Sequence, residues 1–176
     1  FNYDLGIMIS ASHNPYTDNG IKIFDKEGEK LCDNDEFKIE KNINLTQKKP
    51  KNLLKIEKKK VSFPEYENFL FERFSKLKTF DKKILFDCAN GSLSKIAPNV
   101  LRKLNLKFSC YGIKPNGKNI NKNCGATFPK GISNKTIKER AHIGISFDGD
   151  ADRVIFCDEK GRVVDGDYIL AILAMH

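Results

Sequence analysis

Ile143-Gly144-Ile145-Ser146-Phe147-Asp148-Gly149-Asp150-Ala151-Asp152-Arg153 runs from a short apolar strand straight into three carboxylates at alternate positions. In an extended or turning backbone, alternate side chains share a side, so Asp148, Asp150 and Asp152 converge. Like charges at that range disfavour joint ionisation unless a cation compensates them. Hard oxygen ligands in this number suit Mg²⁺ or Ca²⁺. An EF-hand is the competing reading, because Asp148, Asp150, Asp152 and Glu159 match its ligand spacing. Arg153, however, stands where that loop needs glycine, and both flanks read as strands rather than helices. The acidic triplet therefore predicts a divalent-cation site on a strand-to-strand turn.

Outward from this stretch the pattern is regular. Ile84 to Asp87, Leu106 to Tyr111, Ile143 to Phe147 and Val154 to Cys157 read as strands. Helices are predicted from Pro98 to Leu104, with proline near the start, from Asn134 to Arg140, and from Asp167 to Met175. Asp165-Gly166-Asp167 reads as a turn and helix N-cap. In Asp87-Cys88-Ala89-Asn90-Gly91, Gly91 is expected to supply a positive φ. Alternating strands and helices predict an α/β fold with mixed or parallel sheets sandwiched by helices. In such sheets ligands gather beyond the carboxyl ends of strands, where Asp148 to Arg153 lies.

Further towards the amino end, Leu5 to Ile9 and Ile21 to Phe24 read as strands flanking Ser10-Ala11-Ser12-His13-Asn14-Pro15. Asn14-Pro15 and Asp18-Asn19-Gly20 are turn signals, which puts Ser12 and His13 on an exposed loop. A serine there either satisfies a turn, or acts as a nucleophile or phosphoryl carrier. A phosphoserine brings nearly two negative charges and three acceptor oxygens, which a cation held by aspartates would bind. His13 is not expected to form a dyad with Ser12, because neighbouring side chains on extended chain point apart. Lys22 is either an ordinary strand lysine or, near a cation–phosphate centre, a phosphate ligand or proton shuttle.

Asp33-x-x-Glu36 resembles a capping box ahead of a short helix, and Ser62-Phe63-Pro64-Glu65 a second helix start, with a helix running to about Lys78. The expected organisation is one domain over 1–61, a connecting helix over 62–79 and a second domain over 80–176.

The 176 residues are 40% hydrophobic and 31% charged, which allows one or two modest cores. No apolar run is long enough to span a membrane, and no secretory signal is visible. Cys32, Cys88, Cys110, Cys124 and Cys157 are odd in number and form no Cys-x-x-Cys pair. Free thiols in a reducing cytoplasm are therefore expected, and a zinc site is not. The net charge of +8 owes much to the lysines between Lys48 and Lys60. That segment has no aromatic for stacking on bases, so a solvated linker is expected and nucleic acid is not a predicted partner. The surplus charge would steer an anionic substrate. The chain opens at Phe1 without methionine and ends inside a helical pattern at His176, which reads as a piece of a longer protein.

Together these segments resemble the α-D-phosphohexomutases. Ile9 to Pro15 is similar to their phosphoserine loop, Asn19-Gly20-Ile21-Lys22 to the strand after it, and Asp148 to Arg153 to their magnesium loop. Asp87 to Gly91, Ile96 to Val100, Pro115-Asn116-Gly117 with Asn119-Ile120-Asn121, and Cys124 to Thr127 resemble the bacterial branch that acts on glucosamine phosphates. Ala151 departs from that branch, which more often has glycine there.

The resemblance implies parts of the first two of four domains around a cleft. It also implies interconversion of the 6- and 1-phosphates of glucosamine through a bisphosphorylated sugar. Ser12 would carry the phosphoryl group, and Mg²⁺ would sit on Asp148, Asp150, Asp152 and a phosphate oxygen of Ser12. Arg153 and His13 would bind phosphate, and Lys22 would serve as acid/base. The alternatives are a glucose- or mannose-phosphate mutase of the same family, and a non-catalytic cation-binding module with an ordinary Ser12.

Overall fold

The computed structural model describes residues 3–43, 63–76 and 81–176. The chain divides into two compact units, Phe1–Ile9 with Ile21–Ser62, and Ser10–Gly20 with Phe63–His176. In the first, β1 (Gly6–Ser10) and β2 (Gly20–Phe24) pair as a two-stranded sheet, followed by α1 (Asp33–Asn42). The expected capping box is displaced by one residue. Cys32, not Asp33, is the N-cap, and its carbonyl accepts from the amides of Asp35 and Glu36 at 2.9 and 3.0 Å. Asp33 instead adds its charge to the first turn, where it complements the helix dipole.

The second unit holds α2 (Pro64–Phe74), β3 (Ile84–Asp87), α3 (Leu93–Lys103), β4 (Phe108–Tyr111), α4 (Pro129–Lys138), β5 (Ile143–Phe147), β6 (Val154–Asp158), β7 (Val163–Val164) and α5 (Gly166–Ala174). Its sheet has the order β4-β3-β5-β6-β7. β3 is parallel to both β4 and β5, whereas β6 runs antiparallel to β5 and to β7. The sheet is therefore mixed. Strand alternation sends Ile84 and Phe86 to one face, against Leu101 and Ala97 of α3, and Leu85 to the other, against Ile132 of α4. Gly144 lets α4 close on that second face, since a Cβ there would lie 2.5 Å from the Cys157 sulfur and overlap Thr136.

Several boundaries differ from the sequence reading. α3 starts at Leu93, and Pro98 lies in its middle rather than its first turn. The Ser92 amide donates to the Gly149 carbonyl at 2.8 Å and the Ser94 hydroxyl to that of Gly91 at 2.5 Å, which fixes the earlier start. Burial of Ser94, Pro98, Val100 and Leu101 offsets the bond the proline forfeits. α4 runs from Pro129 to Lys138, starting five residues before the expected Asn134 and ending two before the expected Arg140, with Pro129 as its opening residue. The helix expected to start at Ser62 has Phe63 as its N-cap; Ser62, Leu77 and Lys78 lie outside the described residues, as does the lysine-rich stretch. α2 packs on α3 through Glu67 and Asn68, which meet Asn99 and Lys103 at 2.9 Å each. Asp165 caps α5 as expected, accepting from Asp167 and Tyr168.

β3 feeds α3 and then β4 on one side, whereas β5 lies on the other side of β3. The connections leaving the adjacent parallel strands β3 and β5 thus run to opposite sides of the sheet, a switch point at which open α/β sheets form their crevices.

Candidate functional site

The acidic turn occupies that position, between β5 and the antiparallel β6. One carboxylate oxygen from each of Asp148, Asp150 and Asp152 lies within 4.8 Å of the others. Their environments differ sharply: Asp148 is 1% exposed, whereas Asp152 faces solvent. Asp148 Oδ1 accepts from the Arg153 amide at 3.2 Å, and its buried Oδ2 has no hydrogen-bond partner. Burial pushes the Asp148 carboxyl above the usual carboxylate range. The Arg153 amide opposes that shift, and the charges of Asp152 and Asp150 add to it. A buried carboxylate oxygen without a donor, converging with two further carboxylates, fits a hard divalent cation of the Mg²⁺ type. With no thiolate or imidazole in the set, it does not fit a zinc site.

Ser12 belongs to the same unit and reaches this turn. Its hydroxyl donates to Asp150 Oδ1 at 3.1 Å. The loop is folded by short-range bonds: Ser12 N–H to Ser10 Oγ at 3.0 Å, Asn14 N–H to the Ala11 carbonyl at 2.9 Å and Asp18 N–H to the Pro15 carbonyl at 3.0 Å. Ser12 itself has φ +50°, an uncommon conformation for a side chain other than glycine.

That conformation corrects one expectation. Ser12 is not on extended chain, so its Oγ comes to 3.4 Å from His13 Nδ1 instead of pointing away. The separation is too long for a firm O–H···N bond.

Arg153 spans the turn, with Nε 4.0 Å from both Asp148 Oδ2 and Asp152 Oδ1 and a side chain 53% exposed. Its guanidinium keeps donors available to an incoming anion. Lys22 lies on β2 in the first unit. Thus Ser12, His13, Asp148, Asp150, Asp152 and Arg153 share one unit, and Lys22 belongs to the other.

The supporting frame was not foreseen. Asn121 Nδ2 donates to the carbonyls of Ser12 and Asn14 at 2.7 and 3.0 Å. Asp87, fully buried at the end of β3, accepts from the amides of Ala89 and Gly125 at 3.0 Å each. In the turn after β3, Ala89 and Asn90 take the positive φ values (+52° each), not Gly91 as expected. Gly91 is needed for proximity: a Cβ there would lie 2.7 Å from the Gly149 Cα and overlap its carbonyl. Ala151, where the resemblance favours glycine, sits at φ +66°. Its sequence signal was that single departure; Asn121 carried only a turn-forming residue type.

Comparison with known proteins gives a consistent result. Residues 1–50 match the family model for "phosphoglucomutase/phosphomannomutase, alpha/beta/alpha domain I", and residues 64–161 match the model for domain II. The chain is 47% identical to a phosphoglucosamine mutase of Chlamydia abortus over 97% of its own length and 38% of the relative's. It is also 47% identical to one of Pelagibacter ubique, over 98% and 40%. The chain therefore spans about two-fifths of the curated relatives it matches.

Among solved structures, a phosphoglucomutase/phosphomannomutase family protein of Burkholderia thailandensis superposes with a TM-score of 0.68 at 19% identity, covering 97% of this chain and 37% of that one. The N-acetylphosphoglucosamine mutase of Aspergillus fumigatus, solved with GlcNAc-6P and magnesium, gives 0.60 at 22%, covering 97% and 47%. At those identities the likeness establishes the fold.

Proposed function

The chain belongs to the phosphoglucomutase/phosphomannomutase family, and on that premise we propose that it is the phosphoryl-carrying, metal-holding part of a phosphoglucosamine mutase. Such an enzyme interconverts glucosamine 6-phosphate and glucosamine 1-phosphate. Relatives at 43–47% identity that bear this name support the choice of sugar. The observation that carries the mechanism is the Ser12 hydroxyl 3.1 Å from Asp150, beside a buried oxygen of Asp148 that receives no hydrogen bond.

Ser12, when phosphorylated, donates its phosphoryl group to a sugar hydroxyl. The Ser12 Oγ–P bond breaks as the bond from the sugar oxygen to phosphorus forms; the sugar hydroxyl gives up its proton to a base, and the departing Ser12 Oγ takes up a proton to become the free hydroxyl. Lys22 in its neutral form is the candidate base, and its ammonium form the acid for the reverse step. The bisphosphorylated sugar then presents its other phosphoryl group to the freed Ser12. Arg153 and His13 hold phosphate oxygens through N–H donors.

Asp148, Asp150 and Asp152, with a phosphoryl oxygen on Ser12, would hold Mg²⁺, which would supply the charge neutralisation on which phosphoryl transfer depends. A phosphosugar substrate supports the cytoplasm as the compartment in which such an enzyme works. In domain terms, the reading makes the part of the chain before α2 the later part of a first domain, α2 (Pro64–Phe74) its connection, and the residues from 80 to 176 most of a second domain.

Intact-mass measurement of the enzyme bearing this chain tests the reading. One phosphoryl group mapped to Ser12, together with loss of turnover in Ser12→Ala at unchanged folding, is expected. A turning-over Ser12→Ala enzyme would exclude the covalent route. Preference for glucose or mannose 6-phosphate over glucosamine 6-phosphate would move the assignment to the sister branch.

A further inference from the structure

We propose that Asn121 is a positioning residue for phosphoryl transfer, the fixed strut that holds the Ser12 loop against the acidic turn whether or not Ser12 carries phosphate. The proposal rests on Ser12 being the phosphoryl carrier.

Only one hydrogen bond described above joins the Ser12 side chain to the acidic turn, that from Oγ to Asp150. Phosphorylation removes it. The esterified oxygen has no proton to donate, and until a cation sits between them a phosphoryl dianion and the Asp150 carboxylate repel each other. The loop's internal bonds, from Ser12 to Ser10 and from Asn14 to Ala11, fix its shape and not its place.

The bonds from Asn121 avoid Oγ altogether. Both amide protons are used, one on the Ser12 carbonyl at 2.7 Å and one on that of Asn14 at 3.0 Å. Two carbonyl acceptors leave a single orientation for the amide, with Oδ1 buried and partnerless.

The strut is anchored at its base and lodged at its tip. The Asn121 amide donates to the Ala89 carbonyl at 2.9 Å, in the turn after β3, and Asn121 holds φ +56°, which asparagine tolerates better than most residues. Across the gap, a Cβ on Gly149 would overlap the Ser12 carbonyl and lie 3.0 Å from Asn121 Nδ2 and 2.7 Å from Ile120 Cδ1. Ser12, Asn121 and Gly149 are therefore in mutual contact. Ser12 meets Asn121 with φ at +50°, and a return to negative φ would shift its carbonyl relative to the preceding chain and so off Asn121. The side chain thus holds Ser12 in the strained backbone state that aims Oγ at Asp150.

Two variants of the full-length enzyme test this, with Ser12→Ala measured in parallel. Asn121→Asp keeps the shape and loses the donor. Asn121→Gly keeps the positive φ and the bond to Ala89, and adds no charge. Both are expected to lower kcat about 10- to 100-fold through misplacement of the phosphoryl group, with KM for glucosamine 6-phosphate changed by no more than about twofold. Tm should stay near that of the parent. Single-turnover loss of the phosphoenzyme mass should slow by the same factor.

Parental kcat in both variants would overturn the proposal. So would a fall in kcat that merely tracks a lost folded fraction by circular dichroism, since that is what a structural role produces. Retained turnover in Ser12→Ala would instead defeat the underlying carrier reading.

Discussion

Asp148 combines near-complete burial with an oxygen that nothing donates to, and its carboxyl is pushed up chiefly by that burial. A carboxyl raised in the folded state opposes folding once it ionises. The contribution of Asp148 to stability therefore declines as pH rises from its unfolded value through its folded one. At neutral pH and without a divalent cation, Asp148→Asn should then be as stable as the parent, or more stable by about 1 kcal/mol, as read from urea denaturation in a chelator. Magnesium should reverse the order. At 100 times its Kd the parent gains about 2.7 kcal/mol, and the variant much less. A variant that is clearly less stable in chelator would mean that the ionised carboxylate is satisfied without metal. The alternation of Asp148, Asp150 and Asp152 announced the site in sequence, whereas the unequal burial that makes Asp148 the sensitive member depends on where β5 lies in the sheet.

The turns after β3 and β5 are the elements that build the site, and glycine at their contact lets them touch. A Cβ at Gly91 would meet the Gly149 backbone, which cannot rotate away as a side chain would. Gly91→Ala is expected to cost about 1–3 kcal/mol through overpacking and to weaken Mg²⁺ binding by moving the acidic turn. Urea midpoints and calorimetric titration read the two effects, and a variant with parental values in both would show that the turns separate at no cost. Sequence periodicity found β3, β5, β6 and α5 nearly to the residue. It misjudged α3 and α4, because proline is strongest as a helix-start signal when nothing tertiary competes. Pro98 yielded to burial of its helix face, and Pro129 was passed over although it does open α4. β7, two residues long, carries too little pattern to register.

At the scale of the molecule, the Ser10–Gly20 loop groups with the unit that carries the acidic turn, although the strands on either side of it group with the other. The unit holding Ser12 therefore includes the carboxylates, and the chain spans about two-fifths of its curated relatives. The purified 176-residue chain should bind Mg²⁺ by calorimetry and show no isomerisation of glucosamine 6-phosphate. Turnover by this chain alone would mean that sugar recognition needs nothing outside it. The sequence by itself determined the α/β alternation and the convergence of three carboxylates, because both follow from backbone periodicity within a few residues. Only the tertiary structure decided that Ser12 meets Asp150, that Asn121 supports Ser12, and that Gly91 makes way for Gly149. Those contacts join positions far apart in the chain, and the packing of β3 and β5 side by side, rather than any local residue preference, brings their turns together.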